Sequence, residues 1–249
     1  MKKFTTLIVF SLLMILGEQA LAQGKSAMFL GASFPMGNYG MGDIDHWVLT
    51  HSSEDTYNAA ASVGFNVGLK FNFGVGLSGL SVMLSVDGFL NGLNNNMKQY
   101  FEDRNIELKN NPDVSSFSID RPRYFNVPVM VGLNYVFNIS PLFGIYVEGG
   151  AGANARFITS YYEAIRYVGA DKTTVMNYDY KSAFSFAYQV GAGFEISKAL
   201  LIGASFYDLG ASMVTAERTL PDQGKGTDLY RNEKGLRPRM ILVRIGFRF

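Results

Sequence analysis

No cysteine occurs anywhere in the 249 residues, so neither a disulfide framework nor a lipid-modified cysteine can stabilise or anchor the chain. Histidine is nearly absent too. The two present, His46 and His51, stand five apart, a spacing that suits neither one helical face nor one strand face. Asp43, Asp45, Ser52, Glu54 and Asp55 surround them in what reads as a solvated polar loop, and no G-x-S-x-G or H-E-x-x-H motif occurs. No enzyme activity, cofactor or metal is therefore expected. Past residue 22 no apolar run approaches the ~20 residues of a membrane-spanning helix, so the chain is either exported and soluble or crosses a membrane as a barrel.

What is present begins with a leader. Lys2 and Lys3 precede an apolar stretch from Phe4 to Leu16, and the small-residue triplet Ala20-Leu21-Ala22 follows. This is the order of parts in a secretory signal peptide, cleaved before Gln23. The expected organisation is a signal peptide over 1–22 and one exported domain over 23–249. Losing Lys2, Lys3 and Glu18 reduces 22 basic and 21 acidic side chains to 20 of each. A formally neutral chain carries no basic field for nucleic acid, which is excluded as a partner.

Period-two alternation decides between the two exported classes. From Met240 onward, Ile241, Val243, Ile245, Phe247 and Phe249 alternate with Leu242, Arg244, Gly246 and Arg248. The same pattern recurs over Ser182 to Ile196, Phe125 to Phe137, Phe143 to Phe157, Ala61 to Phe73, Leu80 to Leu90 and Leu200 to about Val214. An initial strand over Ala27 to Pro35 makes about eight. Pro128 predicts a local irregularity, because proline cannot donate to a ladder. The slip in alternation near Tyr207 and Asp208 predicts a bulge.

Connections alternate between short (near Asn72 to Gly79, Asn138 to Leu142, Ser197 to Ala199) and long (Gly37 to Asn58, Asn91 to Pro122, Ser160 to Lys181, Ala216 to Pro238). The expected fold is all-β, an eight-stranded antiparallel transmembrane β-barrel with short periplasmic turns and long extracellular loops. A soluble sandwich or lipocalin-like barrel would put the polar faces in water. Those faces are mostly Gly, Ala, Ser and Asn, whereas soluble surfaces are rich in Lys and Glu. Aromatic residues also gather at strand ends, as in Phe71 with Phe73, Tyr135 with Phe137, and Phe157 with Tyr161 and Tyr162, resembling interfacial girdles.

Four segments carry a family likeness: Tyr124-Phe125-Asn126-Val127-Pro128-Val129, Tyr146-Val147-Glu148-Gly149-Gly150-Ala151-Gly152, Gln189-Val190-Gly191-Ala192-Gly193-Phe194-Glu195 and Ile245-Gly246-Phe247-Arg248-Phe249. In order and spacing they resemble the outer-membrane β-barrel family common in Bacteroidota, often described as PorT-like. The resemblance implies an eight-stranded barrel without a defined activity. It also permits an accessory part in a secretion or envelope machine, since the namesake serves a secretion apparatus. Outer-membrane lipid is the expected surrounding. Phe247 and Phe249 are read as a C-terminal assembly signal for the barrel-assembly machinery.

Alternation sends Lys70, Asp87, Glu148, Arg156, Glu195, Arg244 and Arg248 into the lumen. An eight-stranded barrel is just wide enough for side chains to fill, so these charges must pair or meet trapped water. Two functions follow. In one, the ionic cluster closes the barrel and the external loops serve a structural or cell-surface interaction role. In the other, exchange of ion-pair partners gates a narrow pore. The glycine runs Gly149 to Gly152 and Gly191 to Gly193 lack a following Lys-Ser/Thr and are read as close interior packing, not a phosphate loop. The pieces Asn91 to Asn96 and Leu220 to Lys225 read as turns in water. Tyr161, Tyr162, Tyr167, Tyr178 and Tyr180 form either an interfacial belt extended outward or a contact surface for a protein partner or ligand.

Overall fold

A strand that meets lipid on one face and a polar interior on the other needs only alternate residues to be apolar. Eight segments obey that rule. The computed structural model describes residues 24–37, 39, 61–220 and 224–249. Residues 1–22, the cleavage site before Gln23, His46, His51 and most of the first long connection lie outside the described residues. The wall strands are β1 (Gly24–Met36), β2 (Ala61–Gly74), β3 (Leu80–Leu93), β5 (Tyr124–Ser140), β6 (Phe143–Ile158), β9 (Ala183–Ile196), β10 (Leu200–Asp208) and β13 (Arg239–Arg248). They close in the order β1-β13-β10-β9-β6-β5-β3-β2, and every neighbouring pair is antiparallel.

Outward positions carry the apolar surface. On β13 Ile241, Val243, Ile245 and Phe247 are exposed while Met240, Leu242 and Arg244 are buried. Phe184, Phe186, Val190 and Phe194 of β9 repeat the pattern around Ala187, Gln189 and Glu195. Closure satisfies the backbone without a free edge, which lipid requires. At the short-turn end β9 and β10 join through Ser197 and Lys198, both at positive φ (52° and 57°), a handedness that matches strand twist in a tight hairpin.

One local expectation needs correction and another is met. Leu200 to about Val214 is two strands, not one: β10 stops at Asp208, and β11 (Ser212–Leu220) belongs to another sheet. The slip at Tyr207 and Asp208 is therefore a strand end and not a bulge. Gly210 turns the chain away at φ 74°, and the Leu209 N–H donates to the Pro238 carbonyl at 2.8 Å. The irregularity expected at Pro128 is present as a gap in the ladder and not as a register shift. The β3–β5 register is the same on both sides, with only the rungs at Asp87 and Gly88 missing opposite the imino acid, and pairing with β6 runs through it.

The larger correction concerns the long connections, which are folded. The second contains α1 (Asn95–Asn110) and β4 (Val114–Asp120), the third β7 (Tyr161–Tyr167) and β8 (Thr173–Tyr180), the fourth β11 and β12 (Gly224–Leu236). Strands from three connections join in one sheet of order β12-β11-β8-β7-β4. Asn91 is a buried residue in the last rungs of β3 rather than a turn in water, and Asn94 caps α1 by accepting from the Met97 N–H at 2.9 Å. In Leu220 to Lys225, residues 221–223 lie outside the described residues. Met97, Phe101 and Leu108 bury one stripe of α1, and Phe101 packs on Tyr161 with ring centroids 5.8 Å apart. Tyr161 and Tyr178 are almost fully buried, so they are core of this cap and not an interfacial belt. Tyr167 is exposed.

Candidate functional site: the lumen and its mouth

Alternation places Lys70 on β2, Glu148 on β6 and Arg244 on β13, all inward. Glu148 is the hub. Its Oε2 accepts from the Lys70 ammonium and its Oε1 from Arg244, in two close ion pairs, while the Asn134 amide approaches Oε2 at 3.5 Å. Arg244 also lies 3.7 Å from Asp87 of β3. The Tyr207 hydroxyl donates to Asp87 at 2.9 Å, and the Asn66 amide donates to it at 3.4 Å. All four charged side chains are at most 3% exposed. Two cations balance two anions, which makes burial tolerable. The Phe29 ring packs against both cations, its centroid 4.7 Å from the Lys70 nitrogen and 4.3 Å from the Arg244 guanidinium carbon.

Room for this packing comes from inward glycines. A Cβ on Gly193 would stand 2.6 Å from the Tyr146 hydroxyl, and one on Gly246 would stand 3.0 Å from Phe29 Cζ. Tyr146 and Phe29 occupy those spaces. The glycine runs thus serve interior packing, with Gly150 likewise facing Met83 and Gly132.

The seven expected lumen charges do not form one cluster. Lys70, Asp87, Glu148 and Arg244 meet at mid-lumen. Glu195 and Arg248 form a separate close pair at the short-turn end, beside an open vestibule of about 290 Å³. Arg156 sits at the loop end and donates to three carbonyls, those of Leu236 (3.1 Å), Ser212 (3.3 Å) and Met213 (2.9 Å). It fastens the cap to the wall.

Alternation also sent neutral polar residues inward without revealing their partners. Asn91 donates to Ser33 (3.0 Å) and to the Ser62 carbonyl (2.9 Å), the Asn126 amide donates to Tyr39 at 3.3 Å, and Asn154 donates to Asn126 at 3.2 Å. Together they lace β1, β2, β3, β5 and β6 across the loop half of the lumen. Above them Arg104 of α1 pairs with Glu163 at 2.9 Å, and Tyr161 donates to Glu163 at 2.6 Å. Burial, reinforced by the Glu163 charge, pushes the Tyr161 hydroxyl far above its usual range. Asp208 was missed as well. It faces the outside of the wall, fully buried beneath Arg237 and Arg239 at 2.9 Å each. The two arginines that flank Pro238 in sequence were the available signal.

A family model described as "Outer membrane protein beta-barrel domain" matches residues 8–249. The chain belongs to this family of outer-membrane β-barrels. Among solved structures it is similar to Ail, the attachment invasion locus protein of Yersinia pestis, with 16% identity over 91% of this chain and 99% of that one and a TM-score of 0.38. It is similar also to OprG from Pseudomonas aeruginosa (14% identity, 91% and 96% covered, TM-score 0.47) and to a major outer membrane protein from Thermus thermophilus (13%, 91% and 99%, 0.43). A comparison with curated proteins gives no match. Family membership rests on the family model and the closed topology, not on these distant likenesses.

Proposed function

We propose that the protein is a closed, non-conducting barrel of the bacterial outer membrane whose folded external cap supplies an interaction surface at the cell surface. One observation carries the reading: mid-lumen is filled by the buried, charge-balanced group of Lys70, Glu148, Arg244 and Asp87 around Phe29. Desolvated pairs of this kind hold tightly, because separating them leaves a charge uncompensated. Residues 1–22 act as the export leader, cleaved before Gln23, and Phe247 and Phe249 engage the assembly machinery before the barrel closes. The long connections face outward, and their sheet presents a rigid surface where a minimal barrel has open loops. The test is current across a planar bilayer holding the refolded chain. Silence is expected for the wild type and for the conservative Arg248→Lys; steady single-channel steps in the wild type would overturn the reading.

A gated pore is favoured by one feature. Arg244 has a second carboxylate, Asp87, 3.7 Å away, so it could leave Glu148 without losing all compensation. In that case Glu148→Gln would turn intermittent openings into sustained current.

A further inference from the structure

On β10 and β13 the outward apolar run ends at the same rung. Below it stand Phe206, Ala204 and Ile202 on one strand and Ile241, Val243 and Ile245 on the other; at it, Asp208 pairs in register with Arg239. Hydrocarbon thus gives way to charge at this rung on the lipid-facing side of the wall. Asp208 holds two guanidinium groups there. Arg237 donates through Nε to both carboxylate oxygens at 3.1 Å, and Arg239 donates through Nε to Oδ2 at 2.9 Å. The Tyr188 hydroxyl (3.2 Å) and the Gly210 N–H (3.0 Å) donate to the same carboxylate.

Asp208 itself is fully buried, whereas the two arginine side chains remain 43% and 42% exposed. Among the described residues the group has one anion and two cations, a surplus of one positive charge turned toward lipid. Each guanidinium has further N–H donors in a rigid fork beyond those used on Asp208. Such forks match a phosphate geometrically, and fixing them in advance lowers the ordering cost of binding.

We propose that Arg237 and Arg239 form a binding site for the phosphate of an outer-leaflet lipid, with Asp208 as the positioning residue and Phe206 and Ile241 as apolar floor for the attached chains. Charge complementarity and continuity with the lipid-facing wall select this occupant over a soluble anion. The proposal rests on the family's membrane embedding and not on whether the lumen conducts, so it stands or falls separately from the closed-barrel reading.

Native mass spectrometry of the full chain, refolded in neutral detergent, tests it with three probes: dioleoyl phosphatidate, dioleoylglycerol and inorganic phosphate. Phosphatidate should be retained, with dioleoylglycerol retained far less and inorganic phosphate failing to displace it at equal concentration. Arg237→Gln leaves Asp208 its Arg239 partner, so the barrel still folds, and retention should fall about fivefold or more. Arg239→Gln should act similarly, while Arg166→Gln on the exposed cap should change nothing. Equal retention of dioleoylglycerol, full displacement by inorganic phosphate, or unchanged retention in Arg237→Gln would each overturn the site.

Discussion

The barrel wall and the external cap are both antiparallel sheet, yet they are held together differently. In the wall, lipid and lumen impose opposite demands on alternate residues, and the interior is filled by ion pairs, asparagines and tyrosines together with buried apolar side chains such as Phe29, Met83, Phe89, Met130 and Leu242. The cap has water on one side. Its core is aromatic, where Phe101, Tyr161 and Tyr178 pack between helix and sheet and continue into the apolar residues of the upper lumen, and among the described residues Glu163, paired with Arg104, is its buried charge. The contrast shows that the surroundings decide which face of a sheet becomes polar, while the hydrogen-bond ladder is the same in both. Arg156 spans the two regions, its stem in the lumen and its guanidinium on cap carbonyls.

Substitutions should separate the regions. The largest effect is expected in the wall from Glu148→Ala, which leaves Lys70 and Arg244 buried without their shared anion and costs ~3–5 kcal/mol. Urea unfolding in detergent would register it, with early loss of the faster-migrating unboiled band on a gel. Phe101→Ala should cost about 3 kcal/mol, felt first in the cap where its ring packs on Tyr161. Limited proteolysis would then cut between residues 95 and 120 while the unboiled band persists; loss of that band would show that wall and cap unfold as one unit. Gly193→Ala should cost about 2 kcal/mol by pressing a methyl against the Tyr146 hydroxyl and the Gly203 backbone. Thermal unfolding followed by circular dichroism would show whether mid-lumen packing is as tight as the glycines imply.

The wall was legible because period two is a local property, and the inward set from Lys70 to Arg248 followed from it residue by residue. The cap was not. β4 (Val114–Asp120) mixes serines with Phe117 and Ile119, and among the described residues only one side of it pairs, with β7. β7, β8 and β11 lie in separate stretches of chain from β4, so no single window reveals that they share a sheet. The tyrosines of the third connection were visible as a cluster, but whether rings lie against lipid, solvent or a helix depends on where α1 folds back.

Sequence alone determined the number of wall strands, their facing, and which charges enter the lumen, since these depend only on alternation between hydrocarbon and a polar interior. Tertiary structure decided the partners. Glu148 meets Lys70 and Arg244 from strands far apart in the chain because closure and register bring β2, β6 and β13 across one narrow lumen, whereas Arg156 is carried to the cap and Glu195 to the opposite mouth. Distance across a closed barrel is set by shear and register, which no stretch of ten residues encodes.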